Sequence, residues 1–393
     1  MLKPIQIGWI DYSNEHREKV MSVLHLLTEP GAIDELGIGS IRDGFANIFF
    51  PGTSTIQTRA KYFLLVPYIL TDLEKKTYKT PKLFLQKLWS EEINLIDVLN
   101  KDGAKGIIGS LSKEKLKRKP SSIYWNGIRT FEIFRGNIPL TIYAQLIYNK
   151  KSERKHEDGD DEDALQENGS LWSGVPKKNN WRENLKIELT YDEAQYLRNK
   201  IISAKESKDS LFAFILKNNY KVNEIERFEE LGALPNLPQC IQEDFQMAEA
   251  FSQFIYGANI RYNILVSNHE NQEAQEAWEA WYMSEFVCRQ WDTYDIKPVV
   301  KRLRLAPGLV KFLKDWQEAV GSGDLEKIDE VIIKREKNLK RGRAKIGNER
   351  AYVYEKGNWL GGGKLQYRFS NAKVLIQDIY QGLEEANDKA SRR

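Results

Sequence analysis

The chain has 393 residues, 41% of them hydrophobic and 11% aromatic, with a formal net charge of +3. That is ample material for a folded interior and too much chain for one small core, so two packed lobes are expected. No window approaches the roughly 20 consecutive apolar residues of a membrane span, and the opening MLKPIQIGWIDYS has no signal-like apolar stretch. A cytoplasmic protein without a membrane partner is the expectation.

IQIGWID at residues 5–11 reads as a short extended start, and residues 13–29 as a helix that Pro30 and Gly31 end. A second helix is expected over 41–50. The stretch NIFFPGTSTIQTRAKYFLLVPYIL, residues 47–70, organises the chain around it: Pro51-Gly52 stops one helix, and the Thr53-Ser54-Thr55 hydroxyls stand ready to cap the next. With Ser54 as cap, Gln57 falls where a capping box places its partner, and the helix would run from Ser54 into the lysines at 75 and 76. Its start, with Thr53, Ser54, Arg59 and Lys61, has the chemistry of an anion site, because a helix amino end offers free N–H donors and partial positive charge. A buried cap with Arg59 paired to an acid such as Asp43 explains the same residues.

Pro81 opens a further helix with Phe84, Leu88, Ile93, Leu95, Ile96 and Leu99 as its apolar stripe. GAKGIIGSLSKEKLKRK, residues 103–119, is a glycine-punctuated connection ending in a basic run, either a backbone-gripping turn or a solvated lysine face. In PSSIYWNGIRTFEIF, Tyr124, Trp125 and Arg129 have the make-up of a base-stacking group, and equally of a core. IPLTIYAQLIY reads as helix or strand. Residues 151–167 hold eight acidic and three basic residues and nothing that packs, the composition of a flexible acidic loop extending to about residue 170. These features divide the chain into an amino-terminal lobe over 1–150, the loop over 151–170 and a carboxy-terminal lobe over 171–393.

In the second lobe LKIEL reads as a short extended piece, and Thr190 with Glu193 as a capping box. Helices are expected at 210–218 and at 239–267, where Gly257 and Ala258 permit close approach and Asn259, Arg261 and Asn263 form a buried hydrogen-bonding group or a ligand contact. Trp278, Trp281, Tyr282, Phe286 and Trp291 mark a domain centre or a docking face for a partner protein. Cys288 lies in that run and reads as a buried thiol. With Cys240 it completes the cysteines, and no CxxC or HxxxH spacing suggests a metal. Residues 334–373 carry twelve basic and three acidic residues. Lys337, Lys340, Arg341, Arg343, Lys345, Lys364 and Arg368, interleaved with Trp359, Tyr367 and Phe369 around Gly361-Gly362-Gly363, have the composition of a DNA- or RNA-contacting surface; an acidic protein would use the same charges.

No catalytic motif is found, no catalytic residue is assigned, and no cofactor is expected. Lys186 and Glu188 stand in the reverse of a nuclease order, and Asp11, Asp34, Glu35 and Asp43 are the one acidic group that would suit a metal-dependent hydrolase.

GWIDYS, DELGIGSIRD, FFPGTSTIQTRAKYFL, PSSIYWNGIR, GANIRYN and LQYRFSNAKVLIQDI resemble a bacterial family recorded only as a domain of unknown function. The resemblance implies an accessory protein in antiviral defence, acting on foreign nucleic acid beside a helicase or nuclease subunit. The expected fold is mainly α, multi-helical, in two lobes with a few short strands.

Overall fold

A computed structural model describes residues 34–100, 103–154 and 171–391. The α-helices of the described residues are α1 (Gly39–Phe49), α2 (Tyr62–Leu73), α3 (Pro81–Leu99), α4 (Pro120–Thr130), α5 (Leu140–Arg154), α6 (Tyr191–Ser203), α7 (Leu211–Asn218), α8 (Gln239–Val266), α9 (Gln272–Tyr282), α10 (Lys297–Leu303), α11 (Pro307–Ser322), α12 (Leu325–Lys340) and α13 (Phe369–Ser391). The fold is mainly α. Among the described residues there is no strand, only an isolated antiparallel bridge between Phe134 and Trp172. The segment read as extended at 5–11, the helix at 13–29 and most of the acidic loop lie outside the described residues.

The described residues fall into two compact units, each assembled from two stretches of chain: 34–42 with 247–365, and 43–246 with 366–391. Each unit thus draws on chain segments far apart in sequence.

In the second of these units α2 is buried over nearly its whole circumference, including Pro67 within it. It begins at Tyr62, eight residues later than the Ser54 cap suggests. Half of the expected box exists, since Gln57 Oε1 accepts the Ser54 N–H at 3.2 Å, but it closes a turn. The reason is tertiary: Thr58 and Arg59 give their N–H groups to the Tyr124 hydroxyl (2.9 and 3.1 Å), which holds residues 54–61 out of helix. α4 packs against the turn at Pro51-Gly52 by way of Gly127, where a Cβ would lie 2.3 Å from the Gly52 carbonyl oxygen.

The buried stripe of α3 is Phe84, Leu88, Glu92, Leu95, Ile96 and Leu99, so a carboxylate stands where the sequence pattern points to Ile93. Glu92 reaches the first turn of α4 and accepts both the backbone N–H and the hydroxyl of Ser121. It caps a helix from another helix. The Thr190–Glu193 capping box of α6 is formed as the sequence reads.

In the other unit Trp281 is seated on α8 at Gly257, where a Cβ would be 2.3 Å from its ring. Trp278, Trp281, Trp291 and Trp316 pack on one another, and Phe254 stacks on Trp291. These rings are the centre of the unit, so the tryptophans are spent internally and offer no docking face. Cys288 is exposed, contrary to the buried thiol expected: α9 ends at Tyr282, and a wider turn over Phe286–Gln290 changes the helical phase. Asn263 accepts the N–H groups of Leu360 and Gly361 (2.7 and 3.0 Å) and donates to the Asn259 carbonyl (2.8 Å), which realises the buried hydrogen-bonding group.

Candidate functional site

The residues read as an anion site at 53–61 have the right chemistry, already satisfied from within. Thr53 donates its hydroxyl to the Phe50 carbonyl and ends α1. The Ala60 N–H goes to Asp378 of α13 at 2.7 Å, and Arg59 meets the same carboxylate at 3.0 Å. Asp378 is therefore the anion at this site, in place of Asp43. Burial pushes its carboxyl upward, with Arg59 opposing. Lys61, 4% exposed, gives one proton to Glu193 (2.6 Å) and one to the Glu188 carbonyl (3.1 Å). The Tyr68 hydroxyl completes the cluster on Glu193 at 3.0 Å, where burial and that carboxylate hold the phenol well above its ordinary range. Ser54 Oγ is buried without a hydrogen-bond partner.

The carboxy-terminal cations are distributed between the two units. Arg368 bonds Asp43 (3.0 Å), Asn47 (2.8 Å) and the Thr53 carbonyl (2.9 Å). Tyr367 and Phe369 are buried in the same unit, Tyr367 against Phe45, Phe49 and Phe228, so these rings are closed to a base. In the other unit Lys340 and Lys345 share the buried Glu35 carboxylate, the second at 2.7 Å, and burial together with Lys345 and Arg343 pushes Lys340 down to about 8. Lys364 lies 6.0 Å over the Tyr256 ring. Lys337, Arg341 and Arg343 are exposed, Arg341 at φ +52°.

The acids proposed for a metal go to separate tasks. Asp34 caps α1 through Ile38 and Gly39 (2.6 and 2.9 Å), Glu35 holds the two lysines, and Asp43 holds Arg368. Asp11 lies outside the described residues. Among the described residues no three His, Cys, Asp or Glu side chains converge.

A groove beside α4 takes in Trp125 and Arg129, two of the three residues read as a base-stacking group or a core, together with residues the sequence reading did not single out. Its apolar section, about 420 Å³, is lined by Leu85 and Trp89 of α3, Ser122, Trp125, Asn126 and Arg129 of α4, and Pro139 and Leu140. Leu85 and Trp89 are one turn apart at the edge of the buried stripe of α3, and the indole is 39% exposed. The basic run that precedes α4 ends at Lys119, whose ammonium sits 5.2 Å from the centre of that ring. A polar section of about 280 Å³ shares Asn126 and Arg129 and adds Glu132, Arg135, Asn137, Lys205 and Glu206.

Arg129 stands where the two sections meet. One terminal nitrogen donates to Asn137 Oδ1 at 2.9 Å and the other to Asn126 Oδ1 at 3.1 Å. Neutral amides fix the guanidinium, and no carboxylate lies within ion-pair distance of it among the described residues. Two of its five N–H donors are so engaged, and Nε is buried without a partner. Lys200, which bonds the Glu132 carbonyl and Ser173, is pushed down by burial, with Arg135 adding to the effect. α4 is held in place at its start by Glu92 and along its inner face by Trp125, whose indole N–H donates to the Ile138 carbonyl at 2.9 Å. The signal in the sequence was the phase of Trp89 against the α3 stripe and the basic run feeding α4.

No curated protein and no solved structure matches the chain. A family model described as a family of unknown function, DUF6361, matches residues 5–280. That span is well over half of the sequence, and the chain belongs to this family.

Proposed function

We propose that the chain binds nucleic acid along the groove beside α4, as an accessory protein to which no catalysis is assigned. Arg129 carries the reading. A guanidinium held by two amide oxygens, with no carboxylate within ion-pair distance among the described residues, keeps its charge and its remaining terminal donors for a partner that supplies the anion, a phosphate for instance. Trp89 and Lys119 at one end of the groove and Arg135 and Lys205 at the other add an aromatic platform and further cations. A helicase or nuclease that exposes or consumes such a strand is the partner this role asks for, in the antiviral setting the resemblance implies.

The test is fluorescence anisotropy with a labelled mixed-sequence oligonucleotide across a salt series. Binding at low salt that weakens steeply as salt rises is expected, and Arg129→Ala should weaken it about tenfold or more. A double variant, Arg341→Ala with Arg343→Ala, should leave it nearly unchanged. If the double variant abolishes binding while Arg129→Ala does not, the exposed end of α12 is the interface and the groove is not.

A further inference from the structure

The two sections of the groove differ in chemistry in a way that names the ligand more closely. The larger has apolar and aromatic walls, Leu85, Trp89, Trp125, Pro139 and Leu140, with Ser122, Asn126, Arg129 and Thr141 as its hydrogen-bonding groups. The smaller is lined by charge, with Arg129, Arg135 and Lys205 against Glu132 and Glu206. A flat, weakly polar ring joined to an anion matches the two sections together. The larger section also has the size of sites that enclose small organic molecules, about 300–1,000 Å³.

Building on the nucleic-acid reading, we propose that the groove takes an unpaired nucleotide: its base against Trp89, its edge within reach of the Asn126 amide, and its phosphate on the free donors of Arg129. A base in a duplex is stacked on its neighbours and hides its faces, so only a single strand fills the apolar section. Lys119, 5.2 Å from the centre of the Trp89 ring, places a cation for the backbone beside the stacking platform. Duplex DNA would meet only the cations.

The experiment compares a labelled single-stranded oligonucleotide with a blunt duplex of equal length, by anisotropy across a salt series, with intrinsic tryptophan fluorescence as a second readout. The single strand should bind about tenfold tighter or more and quench Trp89. Trp89→Ala should weaken the single strand by roughly tenfold, leave duplex binding unchanged and keep the salt slope, while Trp89→Phe restores most of the loss. Arg129→Ala should weaken both and flatten the slope by about 0.7 for the single strand. Equal affinity for strand and duplex, together with indifference to Trp89→Ala, would overturn the unpaired-base proposal and leave the broader nucleic-acid reading standing. Absence of binding to either oligonucleotide at low salt overturns both. Trp89 lies at the exposed edge of the α3 stripe, so its replacement leaves the fold intact, and circular dichroism of each variant checks this.

Discussion

Glu92 of α3 accepts the backbone N–H and the hydroxyl of Ser121 at the start of α4, a carboxylate bond across 29 residues of chain inside an apolar interface. Burial pushes the Glu92 carboxyl up from 4.5 to about 7, with the Ser121 bonds opposing. An acid whose folded pKa is raised holds its proton in the native state after the unfolded chain has released it. Stability therefore falls as pH rises from about 4.5 to 7 and is level above that, a loss on the order of 3 kcal/mol. Urea midpoints at pH 5 and pH 8 should differ in that direction, and Glu92→Gln should remove most of the difference. An equal slope in the variant would mean that Glu92 is not the group responsible.

Gly127→Ala should be severe. The added methyl would lie 2.3 Å from the Gly52 carbonyl oxygen and 2.6 Å from the Phe63 ring, and neither backbone nor packed ring has room to yield. A loss of about 2 kcal/mol or more is expected by chemical denaturation. A neutral result would show that α4 can slide along the turn.

The Lys61–Glu193 pair is buried, so removing one partner strands the other. Lys61→Met should cost about 3–5 kcal/mol, and Lys61→Met with Glu193→Gln should be more stable than Lys61→Met alone. Additive costs would mean that the two charges do not depend on each other.

Because Asp378 fills the anion position at residues 59–60, deleting its carboxylate should open that position. Asp378→Ala is expected to lower the melting temperature, and inorganic phosphate should restore part of the loss in a concentration-dependent way while leaving the wild type unmoved. Equal responses in both proteins would argue against a vacated anion site.

Arg341 adopts φ +52° and ψ −124°, a region that favours glycine. Arg341→Gly should raise stability by about 1 kcal/mol relative to Arg341→Ala, because both lose the charge and only one relieves the backbone. Matching stabilities would place no strain at this turn.

Much of the helical pattern was legible, because capping residues and proline starts act locally: Thr190 and Glu193, Ser210 and Pro81 all sit where their chemistry suggests. The start of α2 was not, since Tyr124 and Asp378 compete for its N–H groups from 65 and 318 residues away. Basic composition near the carboxy-terminal end was easy to see, yet composition does not say which cations already hold a carboxylate. Lys340, Lys345 and Arg368 do; Arg129, in a less basic stretch, is held by two asparagines.

The bond from Ala60 to Asp378 also sets an order of events during synthesis. A nascent chain presents the start of α2 early and must carry the Ala60 N–H and the Arg59 Nε without their carboxylate until residue 378 has been made. Closure of that unit is thus a late step, with a large loop entropy to overcome, and the exposed apolar faces of α2 and α4 would need shielding from aggregation in the interval.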